Sequence, residues 1–149
     1  MANGLPSAIS LRPVDQSNYE ECIALSVGPG QEGFVAPNVK SLADAYIWHD
    51  AEPFAVYADE GVVGFALLYP LPDRGFILVR LMIDGRFQGL GYGGSALAAV
   101  VEMVRERGAG TLRLSVLPEN AQAIEFYRRN GFAETGELEG PEIVMELDL

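Results

Sequence analysis

A run of glycines between a predicted strand and a predicted helix constrains this chain more than any other feature. The stretch RFQGLGYGGSAL, from Arg86 to Leu97, places four glycines within six positions. Glycine costs conformational entropy and weakens a helix, so this density indicates a backbone that must approach something closely. Glycines at a strand-to-helix junction let several N–H groups converge on an anion, assisted by the positive end of the helix dipole.

Two common glycine motifs fit this stretch poorly. A Walker phosphate loop requires a lysine before Ser95, where the chain has Gly94. The spacing of Gly89, Gly91 and Gly94 does satisfy the G-x-G-x-x-G dinucleotide fingerprint. That fold turns directly from strand to glycine, whereas here five residues intervene, and too little chain follows Gly94 to complete such a domain.

Apolar periodicity and turn signals predict a mixed α/β sheet with helices on both faces. The predicted order is β-α-α-β-β-β-α-β-α-β within a single domain, residues 1–149, and a further short strand is expected around Phe132 to Thr135. Asp15 and Ser41 are predicted to cap the first two helices, and Asn120 the last one. The turn at Glu60-Gly61 predicts an antiparallel hairpin.

Composition narrows the classes of function. Hydrophobic residues make up 49% of the chain, which indicates a folded core. The formal net charge of −11 disfavours nucleic-acid binding and favours cationic partners. No apolar run reaches the length of a membrane helix and no secretion signal is recognisable, so we expect a cytoplasmic protein. With only Cys22 and His49, a His/Cys metal site is not expected.

Two segments together resemble the GCN5-related N-acetyltransferase (GNAT) family. QGLGYG, from Gln88 to Gly93, matches the family's Q/R-x-x-G-x-G/A signature. NAQAIEFYRRNGF, from Asn120 to Phe132, is similar to its later motif of an Asn, an Ala three residues on, an aromatic pair and Gly-Phe. The resemblance covers essentially the whole chain. It implies a GNAT-type mixed, mostly antiparallel sheet with a cofactor cleft between two splayed central strands.

The resemblance implies acetyl-CoA as co-substrate, without a metal. In the family, backbone amides of the glycine loop hold the pyrophosphate, and the preceding strand contacts the pantetheine arm and the acetyl group. On this sequence the implied cofactor-binding residues are Leu81, Met82, Ile83, Gln88, Gly89, Leu90, Gly91, Tyr92, Gly93, Gly94, Asn120 and Tyr127. Arg86, Arg128 and Arg129 are candidates for the remaining phosphates.

The resemblance assigns the general acid to Tyr127, since the matching tyrosine protonates the leaving thiolate in many family members. A phenol near pKa 10 can protonate a thiolate whose conjugate acid has a pKa near 8.5. The base is not placed by a motif. An ordinary primary amine is neutral in only about one molecule in 2,500 at pH 7, so a carboxylate is expected to take its proton. Asp84, Glu32 and Glu119 are the candidates.

The acceptor amine is predicted from the first half of the chain. QEGFVAPNVKSLADAY, Gln31 to Tyr46, resembles bacterial polyamine (spermine/spermidine) acetyltransferases, as does RLMID, Arg80 to Asp84. An acidic cleft for a polycation would be rimmed by Glu32, Asp50, Glu52 and Asp84. The candidate aromatic contacts are Phe34, Tyr46 and Trp48. We expect at least two of these three aromatic side chains to lie in the core instead. A peptide amine or an aminoglycoside, or a silent acetyl-CoA sensor, remain alternatives. Self-association as a homodimer is a further expectation from the family.

Overall fold

Seven strands form one sheet in the computed structural model, which describes residues 8–31, 33 and 36–149. The strands are β1 (Ile9–Pro13), β2 (Glu52–Ala58), β3 (Gly61–Pro70), β4 (Gly75–Ile83), β5 (Thr111–Val116), β6 (Ala133–Glu139) and β7 (Glu142–Asp148). The helices are α1 (Tyr19–Ala24), α2 (Asn38–Ile47), α3 (Tyr92–Glu106) and α4 (Ala121–Arg129), with a 3-10 turn at Gly85–Phe87.

The sheet is mixed but mostly antiparallel, as predicted. Its strand order is β1-β2-β3-β4-β5-β7-β6, and only β4 and β5 pair in parallel. The connection between these two strands runs through α3, because parallel neighbours need a crossover. The predicted Glu60-Gly61 hairpin is present, with Ala58 opposite Gly61.

Helices cover both faces of the sheet, also as predicted. Ala66 and Leu68 on β3 pack into the cluster that contains Leu97 and Val100 of α3. The alternating residues Phe65 and Leu67 pack on the other face, with Cys22 of α1 and Leu42 of α2. Successive side chains of a strand point to opposite faces, so one strand supplies both cores.

Two of the three predicted helix caps are wrong. α1 begins at Tyr19 and its cap is Asn18, while the Asp15 carboxylate instead accepts bonds from the N–H and hydroxyl of Ser17. α2 begins at Asn38, so Ser41 lies inside the helix and is fully buried. Asn120 does cap α4, because its side-chain oxygen accepts the N–H of Ala123 at 3.2 Å. Short polar side chains bond locally in turns as well as at caps, which explains the misplaced starts.

The strand expected around Phe132 to Thr135 is longer than predicted. β6 extends from Ala133 to Glu139 at the edge of the sheet, and all seven of its residues are exposed. Its sequence, AETGELE, lacks the apolar alternation that marks a half-buried strand. Pairing with β7, rather than burial, therefore forms this strand.

Candidate active site

A large cavity opens where β4 and β5 part. Their parallel pairing ends at Ile77 and Arg113, although β4 continues to Ile83 and β5 to Val116. The gap leads into a cavity of about 1060 Å³, lined on one wall by residues 78–83 and on the other by residues 114–117. One edge of β4 remains paired with β3 along this stretch. The other edge, which is no longer paired with β5, faces the cavity.

A glycine turn closes one side of this cavity. Gly91 has φ +83° and forms the N-cap of α3, a left-handed conformation that glycine adopts without strain. Gly89, Gly91, Gly93 and Gly94 all line the cavity. The first amides of a helix lack intrahelical acceptors, so the start of α3 presents N–H donors and the positive end of its dipole here. We call this the glycine side.

The position of Gly94 shows that the cavity there has room for a ligand. A Cβ built on Gly94 meets no atom within 4 Å, and its backbone has no left-handed φ. Neither packing nor backbone conformation therefore requires glycine at this position. A ligand that approaches the backbone closely would require it.

Gln88 and Asp84 fasten the loop between α1 and α2 to the glycine turn. The Gln88 amide donates to the carbonyl of Ile83 at 2.9 Å and exchanges two bonds with the side chain of Gln31. The Asp84 carboxylate accepts the backbone N–H of Ser26 at 3.0 Å and both the N–H and Nε of Arg86. These two residues, predicted for cofactor binding and for catalysis, hold two loops together.

The buried Asp84 does not line the cavity. Burial raises its pKa, but the hydrogen bonds from Arg86 and Ser26 and the Arg86 charge outweigh it and leave the pKa below its usual range. A lowered pKa weakens a base. The geometry therefore favours a structural role for Asp84. Of the other candidate bases, Glu119 is exposed and does not line the cavity, and Glu32 lies outside the described residues.

Tyr127 stands on the glycine side, where α4 meets the cavity. Its ring packs edge-on against Phe126 and Phe132, with centroids 5.2 and 5.6 Å away. Burial in these apolar surroundings raises the pKa of Tyr127 to about 12. Its phenol forms no hydrogen bond with any described residue. Asn120, the N-cap of α4 and seven residues earlier, lines the same cavity.

A hydroxyl–carboxylate pair lines the opposite side. Ser115 of β5 donates to Glu142 of β7 at 2.7 Å, and both residues line the cavity. Their neighbours Leu114, Val116 and Ile143 pack against the α3/α4 core, so Ser115 and Glu142 lie on the face that α1 and α2 cover. We call this the carboxylate side. Sequence reasoning missed both residues, because 27 residues separate them and only strand pairing brings them together.

Arg129 is the arginine candidate that lines the cavity. Arg86 is paired with Asp84, and Arg128 with Glu125 and Glu134, so neither is available to a ligand without losing a partner. Arg80 was not predicted and also lines the cavity. Its Nη1 donates to the carbonyl of Val79 at 2.8 Å, and its buried Nε has no acceptor among the described residues.

Several other predicted residues lie elsewhere. Of the loop residues, Leu90 does not line the cavity and its side chain is 61% exposed. Asp50 and Glu52 are also outside the lining, and Glu52 pairs with Arg107. Tyr46 and Trp48 are 81% and 59% exposed on and after α2, so they neither line the cavity nor belong to the core. Phe34 lies outside the described residues.

Two negative findings apply to the residues that the structure describes. No three His, Cys, Asp or Glu side chains are grouped closely enough to hold a metal ion. None of the helices in these ranges combines the length and the apolar character that a membrane span requires.

Comparison with known proteins agrees with this geometry. The model of the acetyltransferase (GNAT) family matches residues 12–132. The chain is 31% identical over 140 residues to a spermine/spermidine N(1)-acetyltransferase of Bacillus subtilis, covering 89% of this chain and 92% of that one. It is 37% identical over 83 residues to a streptothricin acetyltransferase of Streptomyces lavendulae, covering 55% and 44% of the two chains.

Solved structures share the fold. The PaiA N-acetyltransferase from Thermoplasma acidophilum, in complex with coenzyme A, superposes with a TM-score of 0.73 at 19% identity, over 95% of this chain and 99% of that one. A GNAT family acetyltransferase from Elizabethkingia anophelis with acetyl-CoA bound gives 0.70 at 17% identity, over 95% and 98%. The chain therefore belongs to the acetyltransferase (GNAT) family, whose members are acetyl-CoA-dependent N-acetyltransferases.

Proposed function

We propose that this protein transfers the acetyl group of acetyl-CoA to a primary amine of a polyamine such as spermidine or spermine. The observation that carries the acetyl transfer is the cavity between the parted strands, closed by the glycine turn. The choice of polyamine is supported by the 31% identity to the Bacillus enzyme over most of both chains.

The residues of the cavity suit acetyl-CoA. A volume of about 1060 Å³ is at the upper end for ligand sites, as a long cofactor requires. We assign the pyrophosphate to the amides of Gly91, Gly93 and Gly94 and to Arg129, which forms no ion pair with the described residues. The open backbone edge of Leu81, Met82 and Ile83 supplies hydrogen-bonding groups to the arm. When bound there, acetyl-CoA supplies an acetyl group activated as a thioester.

Tyr127 is our proposed general acid. The phenol lines the cavity and, with a pKa of about 12, it remains protonated over the whole working range of pH. A free thiol has a pKa near 8.5, so a proton transfer from such a phenol to a thiolate in water would be unfavourable. The apolar walls that raise the pKa of Tyr127 also raise that of a buried thiol, which reduces the difference.

The charges of the described residues that line the cavity do not by themselves support a polyamine substrate. Its charged residues are Arg80, Arg129 and Glu142, two cations against one carboxylate. Asp50, Glu52 and Asp84, which were expected to rim an acidic cleft, are absent from it. The substrate assignment therefore depends on the relatives and is open to direct test.

The test is thiol release from acetyl-CoA by the purified protein, with spermidine, spermine, a lysine peptide and an aminoglycoside as acceptors. We expect turnover with the two polyamines, and mass spectrometry of the product to show one added acetyl group. Turnover with the peptide or the aminoglycoside alone would contradict the polyamine assignment. Saturable acetyl-CoA binding without turnover on any amine would contradict the enzymatic proposal.

A further inference from the structure

The carboxylate side of the cavity holds a group that the chemistry of amine acetylation needs. An ammonium of ordinary pKa must lose a proton before its nitrogen can attack a carbonyl carbon, a penalty of roughly 4.6 kcal/mol at pH 7. A positioned base that accepts the proton as the nitrogen attacks contributes about 10²- to 10⁴-fold to the rate. Among the described residues that line the cavity, Glu142 is the only carboxylate.

The geometry holds Glu142 ready to accept a proton. Its Oε1 accepts the hydroxyl of Ser115 at 2.7 Å, which fixes the carboxylate against β5 at the point where β5 leaves β4. Glu142 forms no ion pair with the described residues, so its charge is not neutralised by an arginine or lysine. It is half-buried, which leaves one edge accessible from the cavity.

The surroundings of Glu142 differ from those of the other carboxylates on the same strands. Glu146 of β7 is paired with Arg113 of β5, and Glu137 of β6 approaches the same arginine at 3.9 Å. Glu139 of β6 lies directly opposite Glu142 in the pairing of β6 with β7, but it does not line the cavity. Glu142 is thus the carboxylate of this sheet region that combines access to the cavity with a neutral partner.

We infer that Glu142, oriented by Ser115, is the general base that takes the proton of the acceptor ammonium. This inference rests on the proposed function. The ammonium gives one proton to the carboxylate, which passes it to water. The freed nitrogen forms the new C–N bond, and the C–S bond of the thioester breaks with its electron pair on sulfur. Tyr127 protonates that sulfur. The attacking nitrogen loses a second proton, and this proton returns to Tyr127 through solvent. Ser115 is a positioning residue.

The experiment compares wild type with Glu142→Gln, and with Glu139→Gln as a matched control for the loss of one charge nearby. We expect Glu142→Gln to lower kcat about 100-fold or more at pH 7.5, with unchanged acetyl-CoA Kd by calorimetry. The deficit should shrink at least tenfold at pH 10, where a considerable fraction of the amine is already neutral. Glu139→Gln should keep wild-type kcat and KM.

The Ser115→Ala variant tests whether Ser115 positions the carboxylate of Glu142 or only stabilises the fold. Loss of the hydroxyl removes the hydrogen bond that holds the carboxylate, so kcat should fall a few fold with unchanged KM and acetyl-CoA Kd. Ser115→Thr, which keeps a hydroxyl, should restore most of the wild-type kcat. An unchanged kcat in Ser115→Ala would remove the positioning role.

The outcomes distinguish this inference from the proposed function. An active wild type with an equally active Glu142→Gln variant overturns the inference alone. A rise in KM with unchanged kcat also overturns it, since the carboxylate would then bind the amine without accepting its proton. A wild type that turns over no amine overturns both proposals.

Discussion

The two sides of the cavity are built in different ways. On the glycine side, the turn itself comes from one continuous segment, the end of β4, the turn and the start of α3, and its conformation depends on local backbone freedom at Gly91, while α4 adds Tyr127. The carboxylate side comes from β5 and β7, whose contributing residues are 27 positions apart. Local sequence therefore predicts the side to which we assign the pyrophosphate, whereas the side to which we assign the base depends on strand register.

The largest expected effect on the glycine side is that of Tyr127→Phe. Loss of the proton donor should lower kcat about 100-fold, equivalent to about 2.7 kcal/mol, while acetyl-CoA still binds. Steady-state kinetics with spermidine and calorimetry with acetyl-CoA measure the two quantities. Tyr57→Phe is the matched control, because Tyr57 is buried on β2, away from the cavity. Full turnover by Tyr127→Phe would remove Tyr127 from the mechanism.

The raised pKa of Tyr127 also predicts the shape of the alkaline pH profile. The acid must be protonated to act, and a pKa of about 12 keeps it so well above neutral pH. We expect no fall in kcat from Tyr127 below about pH 10. An alkaline fall between pH 8 and 9 that disappears in Tyr127→Phe would contradict the assignment.

The next largest effect concerns the connection between the glycine turn and the loop between α1 and α2. Asp84→Asn replaces an acceptor of three N–H bonds by a group that must itself donate, so we expect the free energy of unfolding to fall by about 2 kcal/mol. Urea denaturation measures this, with the exposed Asp148→Asn as control. Because folding lowers the pKa of Asp84, its contribution is present above about pH 4 and is lost as the pH falls through the folded-state pKa. The difference in the free energy of unfolding between Asp84→Asn and wild type should therefore decrease towards pH 3.

A smaller effect is expected from Gly94→Ala, and it tests the reason for that glycine. The new methyl meets no protein atom within 4 Å, and alanine favours a helix over glycine, so stability should be equal or higher. The methyl would enter the space assigned to the cofactor, so we expect the acetyl-CoA Kd to rise about tenfold, near 1.4 kcal/mol. Calorimetry measures the acetyl-CoA Kd and thermal unfolding measures the stability, with Ser95→Ala as the control. An unchanged Kd would make Gly94 incidental to binding.

The smallest effect is expected from Tyr46→Ala and Trp48→Ala. Both side chains are exposed and outside the cavity, so the KM for spermidine should stay within about twofold of wild type. The measurement is the same thiol-release assay at saturating acetyl-CoA. A rise of tenfold or more would restore the hypothesis that these aromatics contact the amine.

Particular elements and residues show which features of the fold the sequence predicted correctly and which it did not. Periodicity predicted the mixed sheet, its two layers of helices and the hairpin at Glu60-Gly61, because these depend on local patterns of burial. The exposed edge strand β6 was underestimated, since its sequence has no apolar alternation and its pairing with β7 alone defines it. Asp15 and Ser41 were misplaced as caps, because a short polar side chain before an apolar run marks a turn or an interior helix position equally well.

The sequence by itself determined the family, the fold class and the glycine turn, because these reside in short contiguous segments whose backbone preferences act locally. Tertiary structure alone decided which charged groups face the cavity. Asp84, close to the glycine turn in sequence, is withdrawn into a network with Ser26 and Arg86. Glu142, remote in sequence, is brought to the cavity by the pairing of β5 with β7. The physical reason is that a side chain's partner is fixed by the register of strands, and register depends on the packing of the whole sheet.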